Sequence, residues 1–105
     1  MELITELLAG VEEVSAFYAA TNAIDRTDDW LVLKLNEEVG ELTQAYLARA
    51  GQARDKGASP HELDAAFRAE LADVFAHVLL LAHRFGVDIP AEVEAKWLVW
   101  RTQLP

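Results

Sequence analysis

Two short acidic runs, Glu38-Val39-Gly40-Glu41 and Glu70-Leu71-Ala72-Asp73, interrupt stretches that are otherwise apolar and helical in pattern. Carboxylates three apart on a helix point to one side. An ionised carboxylate taken out of water costs several kcal/mol unless a cation or a metal ion answers it. Two such pairs on two long helices therefore predict a cage for a hard divalent cation. All-oxygen ligation favours Mg²⁺, with Mn²⁺ as a substitute, over zinc or copper.

Helical phase decides how deep these groups sit. At about 100° per residue, Leu31, Leu42, Ala45 and Arg49 fall within roughly 40° of Glu38, which places Glu38 in the middle of an apolar stripe. Glu41 lies at its edge and Glu37 further toward the polar side. On the later helix Ala66, Glu70, His77, Leu80 and Arg84 cluster within about 60° of Asp73. Beyond Leu71 that helix is apolar almost all round, so Asp73 is expected to have protein on most sides.

Two simpler accounts compete with a metal cage. A solvated acidic face puts Glu38 and Asp73 in the wrong place. Internal ion pairs remain open, with Lys34 four residues before Glu38 and Arg84 on the Asp73 side. Four carboxylates about 5 Å apart repel by roughly 3 kcal/mol per pair at an effective dielectric near 20. Two flexible cationic tips do not reach the centre of such a cluster, whereas a divalent ion does. A carboxylate-bridged di-iron bundle needs Glu-x-x-His on two helices, and none of His61, His77 or His83 has Glu three residues earlier.

The elements that must position these groups read as helices throughout. Helix one spans residues 3–21, with Leu3, Leu7, Val11, Val14 and Tyr18 as its stripe. The polar run 22–29 breaks it, and Thr27 or Asp28 caps a second helix over residues 29–50. Residues 51–58 form the one clear loop. Ser59-Pro60-His61-Glu62 is a capping box with proline at the first helical position, and that third helix runs to Phe85, where Gly86 supplies a left-handed stop. Pro90 opens a short fourth helix to about Trp100. The expected fold is all-α, a single domain over residues 1–105, built as a bundle of three long helices and a short C-terminal one.

Composition narrows the partners. The chain has 105 residues, no cysteine and a formal net charge of −9. That charge argues against a nucleic-acid polymer or an anionic membrane as partner. The absence of cysteine removes disulfides, thiolate catalysis and zinc-thiolate sites. Asp73, His77, His83 and Arg84 spoil the most apolar stretch as a membrane span, and the opening residues lack the basic region of a secretory signal. A soluble cytoplasmic protein is the expectation. An apolar third helix in so small a chain also predicts a homodimer or homotetramer.

Asn36-Glu37-Glu38-Val39-Gly40-Glu41-Leu42, a spacer, and then Glu70-Leu71-Ala72-Asp73-Val74 resemble the MazG-like all-α nucleotide pyrophosphohydrolases, whose pattern is Glu-Glu-x-x-Glu followed by Glu-x-x-Asp. The likeness continues through Leu81-Ala82-His83-Arg84-Phe85-Gly86-Val87-Asp88 and reaches Lys96 and Arg101. It implies a bundle completed by oligomerisation. It also implies hydrolysis of a nucleoside triphosphate between the α and β phosphates, to a monophosphate and pyrophosphate. By motif position Glu38, Glu41, Glu70 and Asp73 would be Mg²⁺ ligands, Glu37 would orient or deprotonate the attacking water, and Lys96 and Arg101 would bind phosphate. Two positions depart from the pattern. Trp100 precedes Arg101 where Asn is frequent, and His77 stands where Tyr is common. Phosphoribosyl-ATP pyrophosphohydrolases share the fold and the bond cleaved, and a non-catalytic helical module that binds metal or nucleotide is the alternative of a different class.

Other residues carry weaker expectations. Trp30 and Lys34 are candidates for substrate binding, Trp30 by stacking on a base. His77, one turn after Asp73, is either a hydrogen-bond partner of that carboxylate or a plain buried histidine. Trp97 and Trp100 have too little surface nearby to be covered within one chain and are expected at a subunit contact. Arg49, Arg54 and Lys56 complement the end of the second helix.

Overall fold

The computed structural model describes residues 2–105, with the side chain of Glu2 outside the description. Four α-helices follow one another: α1 (Glu2–Thr21), α2 (Asp28–Arg49), α3 (Pro60–Phe85) and α4 (Ile89–Lys96). A 3₁₀ helix, Leu98–Gln103, continues from α4, and the described residues contain no strand. The expected fourth helix to Trp100 is thus two pieces. The α-helix ends at Lys96, and the run Leu98-Val99-Trp100 tightens into 3₁₀ turns.

Local chemistry explains the boundaries. Thr27 caps α2 by accepting from the Trp30 amide at 3.0 Å, with Asp28 and Asp29 in the first turn facing the positive end of the helix. Ser59 accepts from the Glu62 amide at 3.1 Å while Glu62 accepts from the Ser59 amide at 2.9 Å, the reciprocal pair of a capping box. Gly86 ends α3 at φ 64°, ψ 36°, a left-handed conformation that a side chain would strain. Asp88 caps α4 by accepting from the Ala91 amide at 3.1 Å.

α2 and α3 form an antiparallel hairpin, and α1 packs on α3. The register can be followed down the pair. Arg49 meets Asp64 at 2.8 Å near the loop, the Tyr46 and Phe67 rings lie 6.1 Å apart one turn further, and Glu41 meets Glu70 beyond them. The covered face of α2 runs Leu31, Leu35, Glu38, Leu42, Ala45, and that of α3 runs Leu63, Phe67, Glu70, Val74, His77, Leu81. Both lines step by three and four residues, the spacing of a seam between two helices. One consequence corrects the sequence reading: Glu70 is on the α3 seam, and Asp73 is exposed beside it rather than enclosed.

Long-range ion pairs fix α1 and the turn after it. Arg26 reaches back to Glu12 at 2.6 Å and to the Ser15 hydroxyl at 3.1 Å. Arg84, near the end of α3, donates to Asp28 at 2.6 Å and to the Arg26 carbonyl oxygen. The start of α2 is thereby held against the end of α3.

The core is small, with Ala19, Leu31, Leu79, Leu80 and Ala82 buried. The accessible surface is 7982 Å², against about 5,900 Å² for a folded monomer of this mass. The radius of gyration is 16.7 Å, where a compact domain of this length has about 13 Å. α4 and the 3₁₀ helix pack mainly on each other, leaving Trp97 and Trp100 exposed, and Phe75 and Leu71 stand open on the outer face of α3. No described helix is long and apolar enough to cross a membrane.

Candidate metal centre

Glu38 and Glu41 leave α2 one turn apart, and Glu70 leaves α3 opposite them. One carboxylate oxygen from each lies within 4.8 Å of the other two. Glu38 is buried at 8% exposure, Glu70 is half-buried and Glu41 is open to solvent. The centre is therefore a dish with an acidic floor and one wet side.

Its electrostatics are unresolved by the protein itself. Glu38 Oε2 and Glu70 Oε2 are buried and have no hydrogen-bond partner among the described residues. Among the described residues, none of the ion pairs falls on Glu38, Glu41 or Glu70. Burial pushes the Glu38 carboxyl above its ordinary range; hydrogen bonding to Glu41 and the charges of Glu41 and Asp73 push the same way, opposed by His77. Burial likewise raises Glu70, with Asp73 and Glu41 adding to it. Oxygens in this state suit a divalent cation, which would supply the missing partner and remove the repulsion. The donor set, all carboxylate, fits Mg²⁺ or Mn²⁺.

The cations expected nearby are committed elsewhere. Lys34 pairs with Glu37 at 3.3 Å, not with Glu38, and its Nζ stands 5.8 Å above the Trp30 ring. One face of Trp30 is thus occupied by Lys34. Arg84 serves Asp28 and the Arg26 carbonyl rather than Asp73. Asp73 lies outside the converging trio, close enough to raise Glu38 and Glu70 through space. His77 Nδ1 lies 2.8 Å from the Asp73 carbonyl oxygen, so of the two alternatives for this residue the bond to the Asp73 carboxylate gives way to one to the backbone.

A groove of about 710 Å³ opens beside the trio, between α1 and the α2–α3 hairpin. Trp30, Lys34, Glu38 and His77 all line it, which brings four of the singled-out residues to one place. Lys96 and Arg101 do not line it; both are exposed on α4 and the 3₁₀ helix. The contribution of α1, from Glu6 to Tyr18, is absent from the sequence reading. Periodicity identifies the Val11–Val14–Tyr18 stripe but not that it stands off from its neighbours. Gly10 lies on the groove wall with open space where a side chain would be, but the other glycines are equally open, so its presence does not mark the gap.

Over 76 residues the chain is 38% identical to dCTP pyrophosphatase 1 of Homo sapiens, a match covering 71% of this chain and 44% of that relative. Over that stretch the chain is homologous to a MazG-like all-α nucleotide pyrophosphatase. It spans less than half the length of that relative. No family model matches the chain, and no solved structure matches it. The family's acidic pattern falls on the two facing helices that carry Glu38, Glu41 and Glu70.

Proposed function

We propose that this chain is a divalent-metal-dependent nucleotide pyrophosphohydrolase, which adds water across the α–β phosphoanhydride of a nucleoside triphosphate to give a monophosphate and pyrophosphate. The observation that carries the reading is the trio itself: three carboxylates converge with no cationic side chain paired to them among the described residues, where two of their buried oxygens also have no partner. The 38% identity to a protein named a dCTP pyrophosphatase supports the same reaction class.

In this reading Glu38, Glu41 and Glu70 hold Mg²⁺, with Asp73 at the rim. When bound, the ion neutralises phosphate charge and acidifies a water molecule. Glu37 accepts the proton of the attacking water, and the Lys34 ammonium at 3.3 Å fixes that carboxylate. Lys34 also presents positive charge at the groove mouth, where an otherwise acidic surface would repel the phosphates. Lys96 and Arg101 bind phosphate only if association brings them to a site. The 7982 Å² surface leaves about 2,100 Å² more exposed than a folded monomer of this mass would have, an area suited to an obligate homodimer or homotetramer.

The experiment is a panel of nucleoside triphosphates and phosphoribosyl-ATP, with Mg²⁺ and with Mn²⁺, read as pyrophosphate release. Metal-dependent pyrophosphate from at least one member is expected, and Glu38→Gln should lower it by at least 100-fold, on the order of a lost electrostatic stabiliser. Silence across the whole panel rejects the enzyme reading.

A further inference from the structure

The groove beside the trio is walled by apolar groups from three helices, including Val11 and Val14 of α1, Trp30 of α2 and Leu80 of α3, and it meets the acidic centre at Glu38. A ligand whose phosphates lie at the trio has its other half in this groove. Its volume, about 710 Å³, lies within the usual range of small-molecule sites. Apolar walls suit the faces of a planar ring, and recognition of the ring then rests on the few polar groups that line them.

Two of those polar groups already have side-chain partners. The Ser15 hydroxyl accepts from Arg26 at 3.1 Å, and Lys34 holds Glu37 at 3.3 Å. His77 has one ring nitrogen left. Its Nδ1 lies 2.8 Å from the Asp73 carbonyl oxygen, which can only accept, so Nδ1 carries the hydrogen. In the neutral ring Nε2 is then a lone-pair acceptor and nothing else. Glu6 of α1, which shares the wall with Lys34 and Glu38, is also an acceptor when ionised. The Tyr18 hydroxyl and the Trp30 indole N–H line the same groove as donors, so the position that faces Nε2 is the one where an acceptor reads the ring.

We propose that His77 reads the base: the groove takes the nucleoside half of the substrate, and the Nε2 lone pair selects a ring presenting an amino N–H, adenine or cytosine, over its keto counterpart, hypoxanthine or uracil. The assignment rests on the nucleotide reading above. A keto oxygen in the same place sets acceptor against acceptor and leaves both unpaired, which is the arrangement that discriminates most strongly between near-isosteres.

Free nucleosides isolate this step, because they are neutral and need no metal at the acidic centre. Deoxycytidine and deoxyuridine, and separately deoxyadenosine and deoxyinosine, are titrated into the full chain in EDTA, with amide shifts of Gly10, Ala76 and His77 as readout. The amino nucleoside of each pair should bind at least tenfold more tightly. His77→Asn keeps a donor for the Asp73 carbonyl but reaches no further, and should bring each pair within about twofold. His77→Gln can place its amide oxygen near the Nε2 position and should restore most of the preference. Circular dichroism checks that both variants remain helical, and the Gln variant serves as the test if the Asn variant unfolds. Equal binding within the pairs, a keto preference, a preference that survives His77→Asn, or no shift at the groove amides overturns the proposal. Pyrophosphate release with no base discrimination rejects this inference alone. Discrimination without pyrophosphate release rejects the hydrolase reading and keeps the groove.

Discussion

Glu38 on α2 and Glu70 on α3 face each other across the helix seam, each with a buried carboxylate oxygen that has no hydrogen-bond partner among the described residues. Positions that a helical hairpin ordinarily fills with leucine are here given to like charges. The arrangement is unfavourable to the isolated fold and favourable to a cation, and that opposition makes it testable.

Mg²⁺ should raise the melting temperature. A ligand that binds only the folded cage stabilises it by about 2.7 kcal/mol at a concentration 100 times its dissociation constant. Differential scanning of wild type with and without Mg²⁺ measures this, and the rise should vanish in Glu38→Gln.

Stability of the metal-free protein should fall as pH rises above the unfolded carboxyl value of 4.5. Glu38 and Glu70 have raised folded values, so between the unfolded and folded pKa the native state holds more protons, and deprotonation disfavours it. Glu12 and Glu62 are lowered, Glu12 chiefly by its bond to Arg26 and Glu62 by its bonds to Ser59. Their stabilisation is present above 4.5 and is lost on acidification. Glu38→Gln should therefore melt higher than wild type at pH 8 without metal, by about 4 °C if roughly 1 kcal/mol is relieved. Thermal melts in EDTA across pH 4 to 8 provide the check.

Ser59→Ala should cost about 1 kcal/mol, because the Glu62 amide loses its cap. That corresponds to a melting temperature lower by roughly 4–8 °C in a domain of this size. The Mg²⁺-induced rise should be unchanged, since the cap lies at the opposite end of the hairpin seam from the groove.

Arg26→Met should loosen α1. Glu12 and Ser15 lose their shared donor, for a cost of about 1 kcal/mol given their partial exposure. Hydrogen exchange should quicken in α1 ahead of α2 and α3, and an even increase over all helices would contradict the assigned role.

Much of the fold is legible in the sequence because its signals are local. Ser59, Pro60 and Glu62 announce α3, Gly86 ends it, and helical phase alone puts Glu38 in the buried stripe. Asp73 is misplaced by the same reasoning, because the apolar surroundings of α3 obscure which line faces α2. The seam through Phe67, Glu70, Val74 and His77 is set by the partner helix, and no single-helix pattern contains it. The α1 groove and the Arg84–Asp28 bond, 56 residues apart in the chain, are likewise products of tertiary packing. The end of α4 at Lys96 also escapes a reading by periodicity, since the residues after it are equally apolar.

The phosphorus spectrum of a nucleoside triphosphate, incubated with the protein and Mg²⁺ in ¹⁸O-labelled water, tests the central claim most directly. The account predicts nucleoside monophosphate and pyrophosphate in equal amounts, formed only with the metal and not by Glu38→Gln. Nucleoside diphosphate with orthophosphate, or a spectrum unchanged for every substrate that binds, would contradict it.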